Sequence, residues 1–320
     1  MNDWLSIAFG LTLLILAAEI LVRGSVWCAL ALGVTPMMVG LTLVAFGTSA
    51  PELFVGISAA TSDRPGFATG SVLGSNIANI GLIVGSAALL APITHTPLSA
   101  RFEVRYLLGV SLAIAAVAAA SWTIGPPLAV GLLVALGAFT ALLIRRESRA
   151  RSRRREAGEE PADVARGPLA TVLHVAMILG GLAGLKFGGD TLVDGAAGLA
   201  RDFGMSEVVI GATVIAIGTS LPELAASVVA ARRGHPELAL GNVLGSNIFN
   251  VCMVLGVTAL VRPLPTALAD EGVASFVGLG LAAALAFLLR FRHGISRTAG
   301  AAMLLVYLGY VALAVLRGQF

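Results

Sequence analysis

"VGLTLVAFGTSAPELFVGISAA" (39–60) is an apolar run long enough to cross a bilayer, and at its middle, 47–52, stands GTSAPE. A glycine, two hydroxyls, a proline and a glutamate occupy positions where a lipid-spanning helix normally carries leucine. Pro51 has no N–H, and its ring clashes with the carbonyl four residues back, at Gly47. Gly47 is itself a poor helix former, so the helix should be broken or locally unwound at the motif. In hydrocarbon a freed carbonyl is costly unless a partner satisfies it, and irregular backbone persists only where it is buried or lines a cavity. A bound cation can be that partner, which makes the carbonyl of Ala45, one turn earlier, a candidate ligand.

The motif occurs twice. Displacing the sequence by 171 residues lays "GLTLVAFGTSAPEL" (40–53) over "GATVIAIGTSLPEL" (211–224) and, without a gap, "GSVLGSNIANIGLIVG" (70–85) over "GNVLGSNIFNVCMVLG" (241–256). From Gly40 to Gly85, 22 of 46 positions match their counterparts, Glu19 falls on Asp190, and Ala216 becomes the counterpart of Ala45. Composition says where this repeat resides. Of 320 residues, 57% are hydrophobic and 12% charged, against about 25% charged in soluble domains. The chain therefore reads as a membrane protein, and its basic excess needs no nucleic acid, because most arginines flank apolar runs.

Hydropathy with Gly, Pro and charge as punctuation gives ten spans, near 5–33, 36–60, 68–91, 104–122, 127–145, 168–200, 207–231, 237–260, 269–289 and 299–317. The first, starting near Trp4, is too long for a cleaved leader and should be retained. With ten spans, fifteen arginines fall on one side (Arg101, Arg105, eight between 145 and 166, Arg232, Arg233, Arg290, Arg292, Arg297) and four on the other (Arg64, Arg201, Arg262, Arg317). The positive-inside tendency makes the fifteen cytoplasmic and both termini external. The expected organisation is a first repeat, 1–145, a basic cytoplasmic linker, 146–167, which also serves as an anchor for anionic lipid, and a second repeat, 168–320. Five spans per half is an odd number, so the halves enter the membrane from opposite sides. The fold class is an all-α polytopic membrane protein, two inverted-topology five-helix repeats with helices 2, 3, 7 and 8 broken. Secondary transporters are commonly built this way, with the site at the midplane between repeats.

Glu52 and Glu223 lie deep in their spans, where a charge is expensive and by default functional. Thr48, Ser49, Thr219 and Ser220 precede them by about one turn. Ser75/Asn79 and Ser246/Asn250 are i,i+4 pairs in the third and eighth spans, each on one helix face. Glutamate to second asparagine is 27 residues in both halves. With the Ala45 and Ala216 carbonyls, this is a set of hard oxygens suited to Ca2+ and Na+ and unsuited to zinc or copper. Taken singly, GxSxP reads as a kink with hydroxyls bonded back to the backbone, and GSN as polar glue between helices; the duplication with a glutamate in each copy argues for the cation site. Cys28 and Cys252 read as small buried hydrophobes. Glu19, Arg23, Lys186, Asp190 and Asp194 read as intrahelical pairs or snorkelling charges, with a gating role left open, and His95, His174, His235 and His293 as interfacial.

On these residues the chain resembles the cation/calcium antiporter superfamily, and within it the prokaryotic sodium/calcium exchangers, whose paired α-repeats correspond to GTSAPE…GSNIAN and GTSLPE…GSNIFN. The resemblance spans the whole chain. It implies four clustered midplane cation sites, loaded in alternation by one Ca2+ or about three Na+, in the inner (plasma) membrane and without a cofactor. Calcium would be held by Glu52, Glu223 and the main-chain carbonyls of Thr48 and Thr219. Sodium would use Ala45, Ser49, Glu52, Ser75, Ala216, Ser220, Glu223 and Ser246, with Asn79 and Asn250 beside the central position. The first and sixth spans would slide as a gating pair. Some relatives carry aspartate at Asn250 together with potassium dependence, so asparagine here favours potassium-independent exchange. The alternatives are a proton/calcium antiporter on the same fold and a passive cation channel. An enzyme is disfavoured, because GxSxP lacks the second glycine of a nucleophile elbow and no histidine lies at matching depth. The substrates are Ca2+ and Na+, the surrounding partner is lipid, and a monomer is kept as an option.

Overall fold

A computed structural model of the protein describes residues 2–62, 65–94, 100–157, 164, 167–205, 218–266, 272–292 and 294–317. Ala216, His95, His293 and the first part of the expected seventh span lie outside the described residues. Nine helices among the described residues are long and apolar enough to cross a membrane. They coincide with expected spans one to six and eight to ten.

In chain order the elements are α1 (Asp3–Leu32), α2 (Pro36–Val39), α3 (Ala45–Thr48), α4 (Ala50–Thr61), α5 (Pro65–Ala78), α6 (Gly85–Leu90), β1 (Ile93–Thr94), α7 (Ala100–Ala119) and α8 (Pro126–Glu156). There follow α9 (Pro168–Asp202), α10 (Leu221–Arg232), α11 (Pro236–Phe249), α12 (Leu255–Val261), α13 (Gly272–Phe287), β2 (Gly294–Ile295) and α14 (Arg297–Arg317). Wider π-helical turns join α2 to α3 (Gly40–Val44), α5 to α6 (Asn79–Val84) and α11 to α12 (Asn250–Val254), and another, Leu288–Arg292, follows α13.

The second span is interrupted at Ser49, with φ −86° and ψ 1°, and α10 is preceded by Ser220 with φ −93° and ψ 2°. The two GTS motifs thus bend alike, each directly before Leu or Ala and a proline in the first helical turn. The third and eighth spans differ from the expected break. Their backbone stays helical throughout, and the irregularity at Asn79 and Asn250 is a π-helical turn, a form often found at functional positions.

Small residues set the helix packing, as expected where lipid removes the hydrophobic drive for association. A Cβ on Gly10 would meet Leu192 N at 2.6 Å and Gly188 O at 2.7 Å. Further along, Ala17 faces Gly184 and Leu21 faces Gly181, while Ser6 faces Gly195. Positions rise in α1 as they fall in α9, so the two helices equated by the 171-residue repeat run antiparallel. Both contribute to a smaller apolar cluster and not to the larger one, which joins α5, α7, α8 and α11 to α14. A second close approach seats the π-helical turn at Gly40 against α11, where a Cβ would lie 2.5 Å from Leu238 O.

Two small β-contacts fasten one half of the chain to the other. β1 pairs antiparallel with β2, Ile93 opposite Ile295. At the other ends of α7 and α13, Ile124 N donates to Leu264 O (2.8 Å) and Leu264 N to Ile124 O (3.1 Å). Adding 171 to Ile93 gives Leu264, and subtracting it from Ile295 gives Ile124. One contact is therefore the repeat image of the other.

α8 continues as helix through Glu156, eleven residues beyond the expected membrane limit at 145. Within that extension Glu147 accepts from Thr35 N (2.9 Å), at the start of the second span, and from Arg154 Nη2 (2.9 Å).

Candidate cation-binding site

The two motif bends bring Glu52 and Glu223 into one buried region. Both sit in the first turn of a proline-initiated helix, α4 and α10. Their exposures are 3% and 1%, and the carboxylates lie within electrostatic reach of each other. Thr48 and Ser49 lie beside Glu223, so the first half contributes to the surroundings of the second half's acid. Because Pro51 and Pro222 have no N–H, the carbonyls of Gly47 and Gly218 receive no ordinary helical donor.

Ala45, Ser49, Ser75, Asn79, Ser220, Ser246 and Asn250 are all buried, and Thr219 is half-buried. The Ala45 carbonyl accepts from Ser49 N (2.9 Å). Thr48 Oγ1 bonds back to Val44 O (3.1 Å). Of the fourteen buried side-chain oxygens without a hydrogen-bond partner among the described residues, seven belong to the expected site: Ser49 Oγ, Glu52 Oε2, Asn79 Oδ1, Ser220 Oγ, Glu223 Oε2, Ser246 Oγ and Asn250 Oδ1. Buried polar atoms in native proteins are nearly always paired, and an exception calls for a reason such as an ion. These acceptors come from α4, α10, the serines that precede them, the end of α11 and the π-helical turns at Asn79 and Asn250, and all but Ser246 Oγ occur in repeat-related pairs. No group of three or more His, Cys, Asp or Glu side chains converges among the described residues. The two carboxylates are therefore supplemented by neutral oxygens, a donor set for hard cations.

Sequence reasoning missed the amides that orient this set. Asn250 Nδ2 donates to Asn76 Oδ1 (3.1 Å), Asn76 Nδ2 to Asn247 O (3.3 Å), and Asn247 Nδ2 to Val243 O (2.8 Å). With its NH2 committed to Asn76, Asn250 keeps its carbonyl oxygen for the buried region. Asn242 lies 3.4 Å from the Thr48 hydroxyl and donates to Ser227 Oγ (3.0 Å). Asn76 and Asn247 stand at equivalent positions of the repeat, and that identity was the available signal.

α9 covers both bends. Leu182 packs on Gly47, Val193 on Gly218, and Gly189 faces Pro222. On this helix Lys186 pairs with Asp190, the expected i,i+4 contact. Glu19 behaves otherwise: its stronger partner is Arg233, after α10, at 2.6 Å, while Arg23 is 4.0 Å away. His174 stacks on Trp27 at 4.1 Å, tying α9 to α1.

A family model described as "Sodium/calcium exchanger protein" matches residues 2–145 and 173–316. CaxA of Alkalimonas amylolytica is 38% identical over 94% of this chain and 95% of its own length. The sodium/calcium exchanger MaX1 of Methanosarcina acetivorans is 30% identical over 97% of each chain. The structure of the sodium-calcium exchanger NCX_Mj soaked with 2.5 mM Na+ and 0.1 mM Ca2+ superposes with a TM-score of 0.85, at 28% identity, over 98% of this chain and 99% of the other. Family model, relatives and fold agree over nearly the full length, and the chain belongs to the sodium/calcium exchanger proteins, membrane antiporters of the cation/calcium antiporter superfamily.

Proposed function

We propose that the protein is a secondary active antiporter that exchanges Na+ for Ca2+ by alternating access at the site between the two GTS bends. The observation that carries this reading is the set of seven buried site oxygens without partners, drawn from both halves. Calcium takes the two carboxylates, Glu52 and Glu223, with the carbonyls of Thr48 and Thr219. Sodium uses the same carboxylates with Ser49, Ser75, Ser220, Ser246 and the carbonyls of Ala45 and Ala216, and Asn79 and Asn250 line the centre. One Ca2+ neutralises two carboxylates, whereas three Na+ leave one net positive charge, so exchange carries current. With asparagine at both 79 and 250, no third acid is present to call for potassium.

The halves, 1–145 and 168–320, act as inverted repeats on either side of the basic 146–167 stretch. The antiparallel course of α1 and α9 and the repeat-related β-contacts support this. α1 and α9, with their small-residue seam and an apolar cluster shared with α10 and the start of α11, form the sliding gate over a core fixed by α5, α7, α8 and α11 to α14. The arginine asymmetry supports a plasma-membrane orientation with the 146–167 stretch cytoplasmic and both termini outside.

The test is calcium uptake into inverted vesicles under imposed gradients. Uptake should follow a sodium gradient, generate a membrane potential and ignore added potassium. Uptake that follows a pH gradient and disregards sodium assigns proton coupling instead, and movement of labelled calcium with no trans cation assigns a channel.

A further inference from the structure

Outside the GTS site, the N-terminal end of α7 and the C-terminal end of α13, with the turn that follows it, line an open cavity of about 490 Å³. Its charged lining is Arg101, Arg105 and Arg290, and its apolar walls include Ala286, Phe287 and Phe291. Two features set the arginines in place. Arg105 Nε donates to Arg101 O (2.8 Å), and the Arg290 guanidinium stands over the Phe291 ring at 5.3 Å. The π-helical turn Leu288–Arg292 carries Arg290 and Phe291 to the opening. The buried acid of this helix end, Glu103, does not line the cavity; Arg146 and Glu147 of α8 lie in its electrostatic surroundings, and Arg105 does so more weakly.

The fold does not require these charges. Under the 171-residue repeat, Arg101, Arg105 and Arg290 correspond to Gly272, Phe276 and Ala119. The same helix pair thus presents glycine, phenylalanine and alanine at its other end. Arginines scattered along a cytoplasmic surface satisfy the positive-inside tendency without converging. Here three converge on one recess between membrane helices, above exposed aromatic rings.

We propose that this recess is a binding site for one anionic glycerophospholipid. The phosphodiester would be held by Arg105 and Arg290, with Arg101 closing the recess, and the acyl chains would run down the Phe287 and Phe291 surface. Guanidinium suits a phosphate because its planar fork donates two parallel hydrogen bonds, and basic recesses between spanning helices on the cytoplasmic side are suited to acidic headgroups. The site joins an α7 end to an α13 end, so the lipid would bridge the two halves.

Native mass spectrometry of the purified full-length protein with phosphatidylglycerol or phosphatidylcholine tests this. One phosphatidylglycerol should bind the parent preferentially, and Arg105→Gln with Arg290→Gln should weaken it by roughly thirtyfold. Arg149→Gln with Arg153→Gln, on the α8 extension, should leave it unchanged. Equal binding of phosphatidylcholine, equal weakening by the α8 pair, or equally tight binding of soluble glycerol phosphate each overturns the proposal. A second measurement needs no change of charge: Phe291→Trp fluorescence, corrected for the parent's, should be quenched more by brominated phosphatidylglycerol than by brominated phosphatidylcholine, and equal quenching rejects the site.

Discussion

Glu52 and Glu223 are the two acids whose burial the rest of the site must offset, which makes their neutral isosteres informative. Glu52→Gln or Glu223→Gln keeps the shape and one acceptor and removes the charge proposed to hold a cation. Removing one partner of a buried charge pair costs about 3–5 kcal/mol, so calcium uptake should fall at least about a hundredfold. The variants should remain folded in cation-free buffer while losing the rise in Tm that calcium gives the parent. Near-normal exchange by either variant refutes the site. Asn76→Ala should act more mildly. It frees the Asn250 amide from its partner, and one hydrogen bond is worth about 1 kcal/mol, so apparent calcium affinity should drop about fivefold with the fold intact. The acids were legible in the sequence because a carboxylate is chemically out of place in a greasy run. Asn76 was not, because the i,i+4 reading of Ser75 and Asn79 selects one helix face. Asn76 projects from another, toward α11, and only the tertiary pairing gives it work.

Helix packing is where the π-helical turn at Gly40 can be tested. A Cβ there would lie 2.5 Å from Leu238 O and 2.9 Å from Asn242 N, both backbone atoms of α11 that cannot swing aside. Gly40→Val should therefore destabilise the protein by about 1–3 kcal/mol, the usual cost of overpacking, read as a lower Tm in detergent. An unchanged Tm would show that the two helices do not approach as described. Sequence reasoning found the proline-initiated starts of α4 and α10, since proline acts locally and predictably. It gave no sign that the helix of the fifth span runs on into the charge run beyond 145. Arginine and glutamate are good helix formers, and no glycine or proline interrupts 145–156, so α8 runs on. The anchoring of Glu147 to Thr35 joins positions 112 residues apart, and no local pattern encodes it.

For the molecule as a whole, the 171-residue displacement carried the duplicated plan, and the arginine count carries the orientation proposed for it. What the sequence concealed were the contacts that fasten the halves together. Ile93–Thr94 and Gly294–Ile295 are too short to register as strands, and Ile124 and Leu264 look like ordinary apolar residues beside span ends. Yet these backbone pairs grip the α7–α13 assembly at both extremities, while α1 lies along α9 for most of its length. Continuity of the polypeptide between the halves is then dispensable. Residues 1–157 and 158–320, made as two separate chains in one cell, should find each other, co-purify and restore calcium uptake, whereas either fragment alone should not. Failure of the fragments to associate would mean that the covalent tether, and not this mutual clasp, keeps the transporter whole.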